Sequence, residues 1–119
     1  MRVRAKKVRI DGILFDSKHE GEVYVQLKQL QREGKIHQLQ CHTVFRFVVN
    51  DVKIGMMKPD FTFVDTSGIF FPAGAHAVLD AKGFSKSKKT GKMLPRVNRE
   101  FGLKTRLLRA LFGLEVKCI

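Results

Sequence analysis

Cysteine is scarce in this chain: Cys41 and Cys118 are the whole complement. Two thiols this far apart match no zinc-ligand spacing and build no disulfide framework. They are expected to be reduced, which places the protein in the cytoplasm. Long apolar runs are also missing. No stretch is long enough to span a membrane. Residues Met1 to Lys7 are basic and lack the apolar segment of an export signal. There is no internal repeat. The Gly-x-x-x-x-Gly-Lys-Ser/Thr order of a phosphate-cradling loop is absent, and no Ser/His/Asp or Cys/His arrangement stands out. Acids are few as well, with 11 Asp and Glu against 23 Lys and Arg, a net charge of +12.

That excess on 119 residues is an electrostatic footprint for a polyanion. Nucleic acid is the leading partner, through phosphate neutralisation and counterion release. An acidic membrane surface fits less well, because no basic amphipathic helix stands apart from the core helices. A hydrophobic content of 44% suffices for one core, so residues 1–119 read as a single domain.

Residues 1–8 read as a basic arm. Val8 to Phe15 looks like a small hairpin turning at Asp11-Gly12. Ser17-Lys18-His19-Glu20 has the capping-box pattern, and Val23, Leu27 and Leu30, with Tyr24 beside them, form the apolar stripe of a helix that Gly34 ends. Strand-like runs follow: Thr43 to Asn50, a turn at Asn50-Asp51, a short return over Val52 to Met57, then Asp60 to Asp65 and Ala77 to Lys82. Gly83 to Lys92 is a lysine-rich loop, and the basic stretch continues through 83–96. Val97 to Phe112 reads as a second helix with Val97, Phe101, Leu107, Leu108 and Leu111 toward the core. Leu114 to Ile119 closes as a strand. The expected fold is an α/β layer, a mixed central sheet flanked by helices.

Asp-x-Lys occurs three times, and context separates the copies. Asp16 sits at a helix start and Asp51 in a turn, where Asp is ordinary. Asp80-Ala81-Lys82 lies at the end of an apolar strand, where an acid and an amine are rare unless paired or bound to a metal. Alternation puts Asp80 and Lys82 on one face with Val78, and Ala77, Leu79 and Ala81 on the other. Asp60 precedes Phe61 and Phe63, which should face the core, while Asp60 and Thr62 face the site. Asp60 and Asp80 together can hold Mg²⁺, which takes oxygen ligands and often only a few carboxylates. Glu20 lies above Val23 and Leu27 on the inward stripe, and Glu22 lies on the opposite face with Gln26 and Gln29. Glu20 is therefore the third acid. Lys82 would stabilise negative charge developing on a phosphate or orient the attacking water.

The basic residues Lys86, Lys88, Lys89, Lys92, Arg96 and Arg99 follow the site strand directly and would cradle DNA phosphates; a solvated loop is the plainer reading of the same composition. Lys104, Arg106 and Arg109 read as a solvated helix face. His37, Cys41 and His42 cluster in sequence but read as loop and strand residues rather than metal ligands. His19 would lie at the site edge, and Gln40 is a candidate supporting group beside it.

Taken together, Ser17-Lys18-x-Glu20, Lys58-Pro59-Asp60-Phe61 and Asp80-x-Lys82-Gly83 resemble the PD-(D/E)xK nuclease superfamily, in particular its small phage endonucleases of the Holliday-junction-resolving kind. The likeness spans about residues 13 to 84 and loosely Phe101 to Lys104. It implies a restriction-endonuclease-like αβββαβ core and Mg²⁺-dependent phosphodiester hydrolysis, with Mn²⁺ as substitute. It implies Glu20, Asp60, Asp80 and Lys82 as the catalytic set, with Glu20, Asp60 and Asp80 on the metal. The implied substrate is branched DNA, a four-way junction or fork, and the implied assembly often a homodimer. Two positions depart from the pattern: Leu79 stands where relatives often carry another acid, and Asp80 where many have Glu. A catalytically silent nucleic-acid-binding module and a basic RNA- or ribosome-associated protein are the alternatives. Neither gains from acids set in a basic groove, since these repel phosphate unless a cation intervenes.

Overall fold

The computed structural model describes residues 6–82, 84–95 and 97–119. The basic arm is thus described only from Lys6, and Arg96 lies outside the described residues. In chain order the elements are β1 (Val8–Ile10), β2 (Ile13–Phe15), α1 (Lys18–Arg32), β3 (Ile36–Cys41), β4 (Phe45–Val49), β5 (Val52–Met57), β6 (Phe61–Asp65), β7 (Ala75–Asp80), β8 (Phe84–Lys86), β9 (Met93–Pro95), α2 (Arg99–Phe112) and β10 (Val116–Cys118).

Local chemistry sets most boundaries. Asp11 and Gly12 have φ of 51° and 76°, and Asn50 and Asp51 have 50° and 64°. Left-handed backbone at both central positions is what a two-residue hairpin turn requires, and it explains Asn, Asp and Gly there. Ser17 caps α1 by accepting from the Glu20 backbone N–H at 3.1 Å. Asn98 caps α2 in the same way, accepting from the Phe101 N–H at 2.8 Å. Gly113 ends α2 in left-handed geometry, φ 68°.

The fold is α/β. β10, β7, β6 and β3 lie side by side in that order, with β10 parallel to β7 and the other pairs antiparallel, a mixed sheet. With the three hairpins set aside, the chain runs α1, β3, β6, β7, α2, β10. On one face α1 buries Val23, Tyr24 and Leu27 against Phe61, Phe63 and Leu79, with Phe15 from β2. On the other, Val78 packs with Leu108 of α2 and with Phe47 and Met57 of the β4–β5 hairpin. A two-stranded hairpin is marginal alone, so Phe47 and Met57 anchor it. Gly21 lets β1 approach α1: a Cβ there would lie 2.7 Å from Val8 Cγ2.

Several expectations change. Ile36–Cys41, which lacks an obvious strand composition, is an edge strand of the sheet, with β10 at the other edge. The run from Thr43 to Asn50 and its return over Val52 to Met57 do form a hairpin turning at Asn50-Asp51, but that hairpin stands apart from the four-stranded sheet. The lysine-rich segment is no plain loop, because Phe84–Lys86 pairs with Met93–Pro95. α2 starts at Arg99, where Asn98 supplies the cap, and Val97 and Leu111 are exposed instead of packed in the core. β7 ends at Asp80, so Lys82 lies just past it.

Asp65, the last residue of the alternating strand β6, is fully buried. Its carboxylate accepts backbone N–H bonds from Ser67, Gly68, Ile69, Phe70 and Phe71 at 2.7–3.2 Å. Burial alone would raise its pKa, but the N–H groups of Phe71, Phe70, Gly68 and Ile69 outweigh burial and hold it down to about 2. This stability is present above the unfolded pKa of about 3.9 and is lost as pH falls through about 2. Asp65→Ala strands several buried donors, and should cost roughly 2–4 kcal/mol. Urea unfolding at pH 7 checks the cost, and an unchanged midpoint would contradict the role.

Candidate metal and catalytic site

The register of the sheet assembles the site. β6 and β7 pair Phe61 with Leu79, so the next positions, Asp60 and Asp80, face each other where the ladder ends. The Asp60 backbone N–H donates to Asp80 Oδ1 at 2.9 Å, and the Ala81 N–H donates to Asp60 Oδ2 at 2.8 Å. Each carboxylate thus caps the neighbouring strand and is fixed by it. On the far side of β6, Cys41 pairs with Phe61 and the His42 N–H donates to the Asp60 carbonyl at 3.0 Å. On the far side of β7, Cys118 pairs with Asp80. His42, Asp60 and Asp80 therefore form one row across three strand ends.

α1 brings Glu20 to this row. Its carboxylate is buried and meets His42 Nε2 at 2.8 Å through Oε1, while Oε2 accepts from the Asp16 N–H at 3.3 Å. The reciprocal arm of the capping box thus reaches Asp16 instead of Ser17, and the other oxygen is left for the site. Glu22 is exposed, as its helix face predicts. Ligand atoms of Glu20, His42 and Asp60 all lie within 4.8 Å of one another, a group that can hold a metal ion. Asp80 is not in that trio, and His42 is, against the reading of His42 as an ordinary loop residue. The signal for His42 lay in the pairing of β3, which composition does not reveal. His19 Nε2 lies 3.0 Å from the Ile119 carbonyl, and the Ile119 N–H donates to the Asp80 carbonyl at 2.9 Å, which places His19 at the edge of the row.

Lys82 holds its ammonium 4.6 Å from the centroid of the Phe101 ring, a cation–π contact that steers a flexible side chain. The lysines Lys86, Lys88, Lys89 and Lys92 lie on the β8–β9 hairpin that leaves the site, and all are exposed, as is Arg99 at the start of α2.

Electrostatics mark the cluster as unsatisfied. Burial, and then the charge of Asp60, push the Asp80 carboxyl up to about 7, although Lys82 pulls it down. Burial also raises Glu20; its bond to His42 lowers it, and Asp60 opposes that. Carboxylates crowded in this way favour a cation between them. Among the described residues no helix is long and apolar enough to cross a membrane.

A folded pKa raised above the unfolded value has a defined consequence. The contribution of Asp80 to metal-free stability is full below about 3.9 and is lost as pH rises through about 7. Asp80→Asn keeps the Oδ1 acceptor without the charge. At pH 8 in EDTA it should be more stable than the parent by about 1–4 kcal/mol. The gap should close at pH 4. Chemical denaturation at the two pH values measures both, and an Asn variant weaker at pH 8 would reverse the assignment.

The family model described as "Protein of unknown function (DUF1064)" matches residues 1–110 of the chain. No curated protein and no solved structure gave a match.

Proposed function

The chain belongs to the DUF1064 family, and for this member we propose a metal-dependent DNA endonuclease with a restriction-endonuclease-like core. The observation that carries the reading is the row His42–Asp60–Asp80 with Glu20 and Lys82 at the sheet end, set in a chain of net charge +12. The order α1, β3, β6, β7, α2, β10 supports it, because αβββαβ is the order the PD-(D/E)xK resemblance implies.

The donor set suits a hard or borderline divalent cation. Glu20, Asp60 and Asp80 are the oxygen ligands proposed for Mg²⁺. The imidazole of His42 in the close trio favours Mn²⁺ as an equal or better ion. When bound, such a cation supplies positive charge to a phosphodiester and makes a water more acidic. The protein does the rest. The crossed bonds between Asp60 and the Asp80 segment keep both carboxylates in place before substrate arrives. His42 orients Glu20. The Lys82 ammonium, steered by Phe101, offsets charge that develops on the phosphate oxygens. Lys86, Lys88, Lys89, Lys92, Arg96 and Arg99 hold flanking phosphates. Branched DNA is the proposed substrate, and the free Cys41 and Cys118 suit a reducing cytoplasm.

A homodimer belongs to the same proposal. The β4–β5 hairpin exposes Val48, Val49, Val52, Ile54 and Met56, apolar surface that a second copy would cover. Sedimentation equilibrium should give twice the 13.6 kDa chain mass. A strict monomer at high concentration removes the dimer from the proposal without touching the site.

The nuclease test is cleavage of a labelled four-way junction, a fork and a matched duplex with Mg²⁺, Mn²⁺ or EDTA. Metal-dependent cutting of branched DNA should fall by about 100-fold or more in Asp60→Asn and Lys82→Ala. Equal cutting of the duplex would keep the nuclease and remove the branch preference. Binding without cutting in any metal would leave only a binding module.

A further inference from the structure

On the α2 side of the sheet, a cleft of about 420 Å³ opens beside the acidic row. It lies along the same three strands. Gln40, Thr62 and Val78 line it, and each stands two residues from His42, Asp60 and Asp80 respectively. Side chains two apart on a strand share a face, so the cleft begins about 7 Å along the strands from Asp60 and Asp80, while His42, at φ 57°, turns its ring to Glu20 and Phe15 on the α1 side.

A β-bulge gives the cleft its polar wall. β3 and β6 pair His37 with Val64 but Gln40 with Thr62, so β3 carries one extra residue between the two pairs. Gln38 absorbs it at φ 56°, a backbone conformation that costs a non-glycine residue of the order of 1 kcal/mol. Without the extra residue Leu39 would stand opposite Thr62 and line the cleft, and Gln40 would turn into the core. With it, Leu39 and Cys41 pack on the α1 side, while Gln40 lines the cleft and His42 stands opposite Asp60. The bulge at Gln38 therefore sets the cleft wall and brings His42 opposite Asp60, and a second left-handed residue, His42 itself at φ 57°, aims its ring at Glu20.

The lining selects a class of ligand. Among the described residues no Asp, Glu, Lys or Arg lines the cleft, although 29% of the residues are charged, and His76 is its one titratable side chain. A phosphate or carboxylate would find no lysine or arginine there, and an imidazole can hydrogen-bond an uncharged ring. Gln38, Gln40, Thr43 and Thr62 offer amide and hydroxyl groups. Gln40 accepts from Thr43 at Oε1, so its amide nitrogen can donate outward. Phe45 and Phe112 stand edge to face with centroids 5.3 Å apart, and Phe112 is 45% exposed at the rim. A flat, uncharged ring with donors and acceptors at its edge fits such walls.

We propose that this cleft receives one unpaired nucleobase of the strand whose phosphodiester lies at the acidic row, stacked on Phe45 or Phe112 and hydrogen-bonded by Gln40 and Thr62. The assignment rests on the nuclease reading and narrows it. A base in a continuous duplex is stacked and paired and does not reach the cleft; a base at a fork, a junction or a single-stranded gap is free to enter. The pocket gives a physical reason for the protein to select DNA with unpaired nucleotides.

The full chain tests this with Ca²⁺ in place of Mg²⁺, so that binding is read without cleavage. Two single-stranded oligonucleotides of equal length are compared by fluorescence anisotropy, one with bases and one fully abasic. The base-bearing strand should bind about tenfold tighter. A single 2-aminopurine in it should change its emission on binding. In Gln40→Leu and in Thr62→Val, the first exposed and the second nearly isosteric, the preference for bases should fall toward unity. Equal affinity for the two strands in the parent protein overturns the pocket, as does an unaltered preference in both variants. Base preference without metal-dependent cutting would keep the pocket and discard the nuclease; cutting without base preference would do the reverse.

Discussion

The crossed pair of hydrogen bonds between Asp60 and the end of β7 is the constraint on which the site depends. Where a β-ladder stops, its last N–H groups need partners. Here the partners are the two carboxylates themselves: Asp80 accepts from the Asp60 N–H, and Asp60 accepts from the Ala81 N–H. A structural need is met by the same groups that carry the charge. Each oxygen so used is held in place, and each carboxylate keeps a second oxygen for a ligand. The arrangement is rigid because it is built into strands buried on both faces, with Phe61 and Leu79 on one side and Val78 on the other.

Charge has to be balanced around that constraint. The chain has more than twice as many basic as acidic residues, yet three acids converge at one sheet end. Asp80 and Glu20 are both harder to ionise than usual, with burial as the leading cause. Buried carboxylates so close together are a cost to the fold unless a cation completes them. The proposed function accounts for this cost, since a cation would complete the carboxylates and a phosphate would meet it on a basic surface.

The sequence shows the polar end of this site clearly. Asp80 and Lys82 interrupt an apolar run, Asp60 follows Pro59, and Glu20 lies on the inward stripe of a capped helix. Each of those signals is local. What stays hidden depends on pairing across the sheet. β3 reads Ile-His-Gln-Leu-Gln-Cys, with little β-branched content and an alternation broken by the bulge at Gln38, so neither propensity nor period marks it as a strand. His42 inherits its place from that strand and is hidden with it. Alternation puts Asp65 on the face of Phe61 and Phe63, but nothing local shows how a carboxylate is satisfied there. It is tolerated in the interior because the loop after it folds back and offers its N–H groups. The β8–β9 hairpin is masked by its lysines, whose composition resembles an unstructured loop.

Calorimetric titration of Mn²⁺ into the metal-free protein at pH 7.5, with Asp60→Asn in parallel, tests the central claim most directly. Binding to the parent with a dissociation constant below about 1 mM, lost or weakened at least tenfold in the variant, is the predicted result. No binding to the parent, or equal binding to both proteins, would contradict a metal centre at the Asp60 row.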